Sequence, residues 1–175
     1  MNEVCIHEAG HAIAALSLNR QVKVVAYTPE SETKGYATRQ KCKDDSENRI
    51  IAVAGIVAVT LYNSNFQNTF DMGLIENYGG GADLEDVLFK YGIVEKDGQP
   101  RAEYEWIISV EEACEHAWKL LLQNKEVLLQ FAKDLEDKGI LQEQDISIFK
   151  PSVKSYQLPN LLDDAVFDEK LRSGE

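Results

Sequence analysis

The segment HEAGHAIAAL, residues 7–16, constrains the fold of this 175-residue chain more than any other stretch. Its alanine-rich composition predicts a helix over residues 3–18, because alanine has the highest helix propensity. Glycine inside a helix costs roughly 1 kcal/mol relative to alanine, so Gly10 needs a structural reason. The small side chains around Gly10 predict close packing of a second element, and a buried helix that carries AVAG, residues 52–55, is the candidate.

His7 and His11 are four residues apart on this helix, and Glu8 lies between them. Residues at that spacing differ by about 40° around the helix axis, so both imidazoles project from one face. Such a pair can reach one Zn²⁺ at roughly 2.0–2.1 Å. Glu8, on the neighbouring flank, can take a proton from water whose pKa the metal lowers to about 7, which is the chemistry of amide hydrolysis. The alternative is that both histidines are ordinary helix residues.

The rest of the chain predicts a mainly α-helical fold with a small β-hairpin or sheet beside this helix. Gly139 is the expected C-cap of the last long helical pattern. The predicted elements are strands at 22–28 and 35–41, a buried helix at 47–62, an irregular loop at 63–81, a helix at 82–92, a turn at 95–100 and a helical pattern over 102–137.

We expect one domain over residues 1–150, because a chain with 44% hydrophobic residues can bury one sizeable core. Residues 151–175 form a more acidic and less periodic tail, with a short amphipathic pattern at 160–171. Three placements of this tail stay open: docked on the body, docked on a neighbouring subunit, or mobile.

The formal charge of −12 argues against nucleic acid and anionic membranes as partners. Both need clustered Lys and Arg, and the chain has 18 basic against 30 acidic residues without a basic stripe. The longest apolar run, residues 50–62, is shorter than the roughly 20 residues of a membrane span. Cys5, Cys42 and Cys114 are widely spaced without a CxxC pair, which favours a reducing compartment. We therefore expect a cytoplasmic protein without an export signal.

Three further expectations concern single elements. Cys5 should be a small buried hydrophobe on the side of the helix opposite His7. His116 should be a surface or half-buried residue and not a ligand. The strand at 22–28 either accepts an extended peptide by edge pairing or is simply one strand of the small sheet.

In the order of its segments, the chain resembles the peptidase domain of the FtsH family of zinc metallopeptidases over about residues 3–149. HEAGHAIAAL is similar to the metal-binding helix of that family, and VKVVAYTP with GYAT to its strand pair beside the active site. IAVAGIVAV resembles the helix that carries its Gly-Arg-Ala-Ala-Glu segment, and GGGADLEDV its Asp-Leu loop-to-helix segment. Residues 115–146 have the pattern of its last two helices.

The resemblance implies that Asp83 is the third protein ligand, which completes a site of two histidines and one aspartate with an open position for water. Taken alone, an Asp after glycines also fits a helix N-cap. Asp71 and Glu76, in the preceding predicted loop, are the fallback ligands.

Two features depart from the family. Its ATPase module does not occur in this sequence, so ATP-driven proteolysis is not inferred. Val59 and Ile56 stand where the family has the Glu and the Arg of its Gly-Arg-Ala-Ala-Glu segment. If those family residues orient the site through hydrogen bonds, their loss can lower activity by roughly 10–100-fold.

The sequence thus predicts a zinc-dependent metallopeptidase that hydrolyses short or unstructured polypeptides, with Glu8 as the general base. Such substrates would arrive unaided, through a separate ATPase, or within a homo-oligomer. The alternative is a catalytically silent interaction or regulatory module that keeps the peptidase fold and binds metal. The presence of Glu8 favours the enzyme. The apolar Val59 and the missing ATPase module favour the catalytically silent module.

Overall fold

The computed structural model describes residues 1–28, 35–40, 45–78 and 108–158. In these residues the chain is mainly α-helical with one small antiparallel sheet, which confirms the predicted fold class. The elements in chain order are α1 (Glu3–Ser17), β1 (Val22–Tyr27), β2 (Gly35–Arg39), α2 (Asp45–Asn63), α3 (Met72–Tyr78), α4 (Val110–Gln123), α5 (Lys125–Lys138), β3 (Ile140–Gln142), α6 (Glu143–Ser147) and a 3-10 turn (Lys150–Ser152).

Helix α1 lies at the centre of the core. It begins at Glu3 because Asn2 is its N-cap, and the Asn2 side chain accepts a hydrogen bond from the Val4 N–H at 2.8 Å. Between residues 5 and 18, every residue is buried except His7 and His11, which are half-buried. The accessible side of α1 is therefore the face that carries the two imidazoles.

Helix α2 packs directly on α1, as the small residues predict. A Cβ added to Gly10 would lie 2.5 Å from the carbonyl oxygen of Ala54 and 2.6 Å from the Cβ of Ala58. The close approach confirms the predicted role of Gly10, although Ala58 lies one turn beyond the AVAG segment. None of the helices in the four described stretches is long and apolar enough to cross a membrane.

The sheet has the strand order β2-β1-β3, and both pairings are antiparallel. Val25 in β1 lies opposite Ala37 in β2 and Leu141 in β3. The predicted hairpin of β1 and β2 is confirmed, whereas β3 has no counterpart in the prediction. Because β1 is paired on both edges, the hypothesis that β1 accepts a peptide by edge pairing is wrong.

The helical pattern over 102–137 is not one helix in the described residues. Ser109 caps α4 in a reciprocal capping box with Glu112, so α4 begins at Val110. The chain then breaks at Asn124, whose side chain donates to the Leu120 carbonyl at 2.8 Å. Gly139 ends α5 with a φ of 74°, which confirms the predicted C-cap.

Residues 72–78 form α3, although the sequence predicts a loop over 63–81. Asp71 supplies the start signal, because its Oδ1 accepts a hydrogen bond from the Gly73 N–H at 2.9 Å. Ile75 is then fully buried and anchors the helix. The helix predicted at 82–92 and the turn at 95–100 lie outside the described residues.

Residues 153–158 cross the end of α1 and the junction of α4 and α5. The Asn124 side chain accepts from the Lys154 N–H at 2.7 Å and donates to the Lys154 carbonyl at 3.2 Å. The Tyr156 N–H donates to the Ser17 carbonyl at 2.8 Å. This part of the chain is therefore fixed to the body, and residues 159–175 lie outside the described residues. The division at residue 150 stays a prediction.

Candidate metal centre

His7 and His11 point to one place, as the helical spacing predicts. Their Nε2 atoms lie 3.0 Å apart, and the two rings meet edge to face with centroids 4.7 Å apart. Two nitrogens on one tetrahedral zinc at roughly 2.0–2.1 Å lie roughly 3.3 Å apart. The observed 3.0 Å is the length of a hydrogen bond between the two rings, and it lies within a few tenths of an ångström of the separation on zinc. A slight opening of the imidazole pair would accommodate a shared metal ion.

The Ile51 carbonyl sets the tautomer of His11. The Nδ1 of His11 lies 2.7 Å from the Ile51 oxygen. A carbonyl oxygen only accepts hydrogen bonds, so Nδ1 carries the proton. In the neutral ring, Nε2 then holds the lone pair that a metal needs, and a backbone carbonyl at the other nitrogen is a common partner of ligand histidines.

The protonation state of His7 also suits a ligand. Burial lowers the pKa of His7 below its ordinary value of 6.5, because the charged imidazolium loses hydration. The ring is therefore neutral at neutral pH. A neutral imidazole can bind a metal, and an imidazolium cannot.

Glu8 is a buried carboxylate at the junction of α1 and β2. Only 7% of its surface is exposed. A Cβ added to Gly35, the first residue of β2, would lie 2.8 Å from the Glu8 Oε1. The carboxylate therefore occupies the space that the missing side chain of Gly35 leaves. Glu8 follows His7 directly, so the helical period places it on the neighbouring flank of α1.

The structure does not provide a third ligand from the described residues. Within the described parts of the chain, no three His, Cys, Asp or Glu side chains come together in a group that could hold a metal. Asp83 lies outside the described residues, and so does the side chain of Glu76. Asp71 is exposed and caps α3. The fallback ligand Asp71 is thus not brought to the imidazole pair, and Asp83 stays a prediction.

The two positions that depart from the FtsH pattern are apolar in structure as well as in sequence. Ile56 is 2% exposed and belongs to the core, and Val59 packs against that core from a half-buried position. Both side chains stabilise α2 through apolar contact. Hydrogen bonds to the site from these side chains are chemically impossible.

Cys5 and His116 are the remaining residues whose placement was predicted from the sequence. Cys5 is a fully buried free thiol, and burial, followed by the charges of Glu136 and Glu8, raises its pKa to about 11. His116 is half-buried, with its Nδ1 2.7 Å from the Tyr156 hydroxyl. The burial of Cys5 and the half-buried position of His116 agree with the expected placements of these residues.

The comparisons with known proteins do not place the chain in a family. No family model matches the sequence, and no curated protein matches it. The resemblance to the FtsH peptidases therefore stays a prediction.

Three backbone features of the site were not predicted from the sequence: the Ile51 carbonyl, the space at Gly35, and Gly55, where an added Cβ would lie 2.5 Å from the His7 Nε2 and 2.6 Å from the His11 Nε2. Gly55 was assigned only to helix packing. The signal that could have found it is its place in α2, because an unneeded glycine in a buried helix indicates a close approach. The Ile51 carbonyl and Gly35 carry no sequence signal of their own.

Proposed function

We propose that this chain is a zinc-dependent metallopeptidase that hydrolyses peptide bonds of short or unstructured polypeptides. The observation that carries the proposal is the imidazole pair, whose Nε2 atoms are 3.0 Å apart while Nδ1 of His11 donates to Ile51. His7 and His11 would hold the zinc. Asp83 is the proposed third ligand, on the strength of the resemblance alone.

Zinc, when bound, lowers the pKa of water to about 7 and polarises a peptide carbonyl. The chain supplies the proton transfer. The Glu8 carboxylate accepts the proton of the attacking water and returns it to the nitrogen of the leaving amine. Burial of Glu8 strengthens the interaction of its carboxylate with the positive charge that develops on the leaving nitrogen, because the surroundings have a low dielectric constant.

Strand β2 supports an extended substrate. It is an edge strand of the described sheet, and its first residue, Gly35, adjoins the Glu8 carboxylate. A polypeptide paired along an edge strand is held in an extended conformation, with its amide bonds exposed. Most of the backbone of a folded protein is paired within its own helices and sheets, so the proposed substrates are short or unstructured. A separate ATPase or a homo-oligomer could deliver longer ones.

A cytoplasmic location belongs to the same proposal. The three cysteines are widely spaced, and the two that are described, Cys5 and Cys114, are buried free thiols. Buried thiols of this kind are typical of proteins in reducing compartments.

A catalytically silent metal-binding module is the second candidate function. The observation that favours it is the apolar environment of Ile56 and Val59, where the resemblance would require an Arg and a Glu. The buried carboxylate of Glu8 favours the enzyme. Burying a carboxylate is costly, and a structural metal site does not require a base beside it.

The experiment that separates the two functions compares the wild type with Glu8→Gln on unfolded casein. Glutamine keeps the shape of the side chain but cannot accept the proton, so we expect casein cleavage to fall at least about 100-fold. Glu3→Gln is the matched control, because Glu3 is exposed on the same helix. Its cleavage rate should equal that of the wild type.

Zinc content, measured by elemental analysis, should be the same in all three proteins. Equal cleavage by the wild type and Glu8→Gln would rule out the mechanism. A zinc-loaded wild type without cleavage would identify the silent module. A wild type that binds no zinc would refute both functions.

A further inference from the structure

Gly55 lies where the two imidazoles meet. A Cβ added to this residue would lie 2.5 Å from the Nε2 of His7 and 2.6 Å from the Nε2 of His11. Real Cβ atoms do not approach other atoms so closely. The two rings can therefore converge as they do only while residue 55 has no side chain.

Gly55 also lies one helical turn after Ile51, whose carbonyl accepts the His11 Nδ1–H at 2.7 Å. Side chains on an α-helix lean towards its N-terminus and cover the preceding turn. A side chain at residue 55 would therefore stand over the Ile51 carbonyl. Glycine leaves that oxygen accessible to the imidazole, beyond its bond within the helix.

The stability of α2 gives no reason for this glycine. Glycine in a helix interior is less favourable than alanine, and Gly55 is the single glycine of a 19-residue helix. Its neighbours Ala54 and Ile56 are buried core residues. The nearest atoms around residue 55 belong to the two histidine rings.

We infer that Gly55 is a positioning residue of the proposed metal centre. Its missing side chain leaves the space in which both Nε2 atoms meet, and it exposes the carbonyl that sets the tautomer of His11. The role in metal binding rests on the proposed function. The role in the ring arrangement concerns the metal-free protein and stands independently of that function.

A comparison with Gly10 shows why this role can be separated from folding. A side chain on Gly10 would meet the backbone of Ala54, which cannot move without shifting the helix. A side chain on Gly55 would meet the ends of two histidine side chains, which can rotate away. Gly55→Ala should therefore displace the rings and leave the contact between α1 and α2 in place.

The first test titrates zinc into the metal-free full-length chain, as wild type and as Gly55→Ala. We expect zinc affinity to fall by at least about tenfold in Gly55→Ala, because the ligand pair is no longer pre-organised. Gly73→Ala is the matched control. It makes the same change in helix α3, where an added Cβ meets only the Asp71 Oδ1 at 3.2 Å. Gly73→Ala should bind zinc as the wild type does, and equal affinity in Gly55→Ala would overturn the inference.

A second set of variants decides the case in which Gly55→Ala does not fold. His7→Ala/His11→Ala removes both rings, and adding Gly55→Ala to it tests whether those rings are the obstacle. The triple variant should fold with a melting temperature at or above that of the double variant, because alanine then only improves the helix. A lower melting temperature would overturn the inference, since the added methyl would be meeting something else.

Nitrogen NMR of the imidazoles tests the ring arrangement without metal. In the wild type, we expect His11 to be the neutral tautomer protonated at Nδ1, and we expect Gly55→Ala to change that signature. Unchanged signals would overturn the inference. If the wild type binds no zinc but Gly55→Ala shifts these signals, the proposed function fails and the positioning role of Gly55 stands.

Discussion

The Glu8 carboxylate and Gly35 share one space: a Cβ at residue 35 would lie 2.8 Å from both Cγ and Oε1 of Glu8. Strand β2 can therefore approach α1 at this point only because residue 35 is glycine. This contact places the candidate base, Glu8, next to the first residue of β2, the edge strand along which we propose that an extended substrate pairs.

The first prediction follows from that contact. Gly35→Ala should displace the Glu8 carboxylate while the imidazole pair keeps its zinc. We expect the cleavage rate to fall by roughly 10–100-fold, the range typical of lost support for a site residue. Thr38→Ala, at an exposed position of the same strand, is the control. Normal cleavage by zinc-loaded Gly35→Ala would show that the position of Glu8 does not matter.

The second prediction concerns the third ligand. Asp83→Ala should sharply lower the zinc content of the purified protein, because a two-histidine site without a carboxylate binds zinc weakly. Asp71→Ala should leave the zinc content unchanged, since Asp71 is exposed and caps α3. Elemental analysis of both variants checks this. The opposite pattern would identify Asp71 as the ligand.

The third prediction concerns the packing of α1 on α2. Gly10→Ala should lower the free energy of unfolding by about 1–3 kcal/mol, because the new methyl group meets the Ala54 carbonyl and the Ala58 Cβ. Urea unfolding of the metal-free protein measures this change. Gly73→Ala, whose Cβ would meet only the end of the flexible Asp71 side chain at 3.2 Å, should lower the free energy of unfolding less than Gly10→Ala does. A stability of Gly10→Ala equal to that of Gly73→Ala would contradict the proposed packing.

The fourth prediction concerns Asn124, which is 2% exposed and holds both backbone groups of Lys154. Asn124→Ala should lower the free energy of unfolding by about 1–3 kcal/mol, because buried polar groups lose their partners. Hydrogen exchange at residues 153–158 should accelerate more than exchange in α1. Gln130→Ala, on the exposed side of α5, is the control. Unchanged exchange at residues 153–158 would show that Asn124 does not hold this segment.

The fifth prediction is a pH dependence. Burial, followed by the Lys119 charge, lowers the pKa of His116 below its ordinary value of 6.5, although Glu115 and Glu112 act in the opposite direction. The folded protein therefore binds fewer protons at His116 than the unfolded chain does. Its stability should be highest above pH 6.5 and should decrease as the pH falls through 6.5.

The control for this pH dependence is His116→Gln, compared with the wild type in metal-free urea unfolding between about pH 8 and pH 5. His7 has a lowered pKa as well, so the wild type loses stability from both histidines. The variant should lose less stability on acidification than the wild type. Parallel curves for the two proteins would contradict a contribution from His116.

The sequence predicted those elements whose signals are local. Helix α1 was predicted within one residue at its C-terminal end, and the C-cap at Gly139 was correct. The break at Asn124 was missed because the apolar pattern continues across it from α4 into α5. β3 was missed because three residues are too few to show a strand period.

The sequence by itself determined that His7, Glu8 and His11 share one region of a helix, because a helical period of 3.6 residues requires it. Only the tertiary structure decided what those side chains meet. His11 reaches the Ile51 carbonyl from 40 residues away, and Glu8 fills the space at Gly35. Such contacts depend on how separate elements pack, and no local pattern encodes that distance.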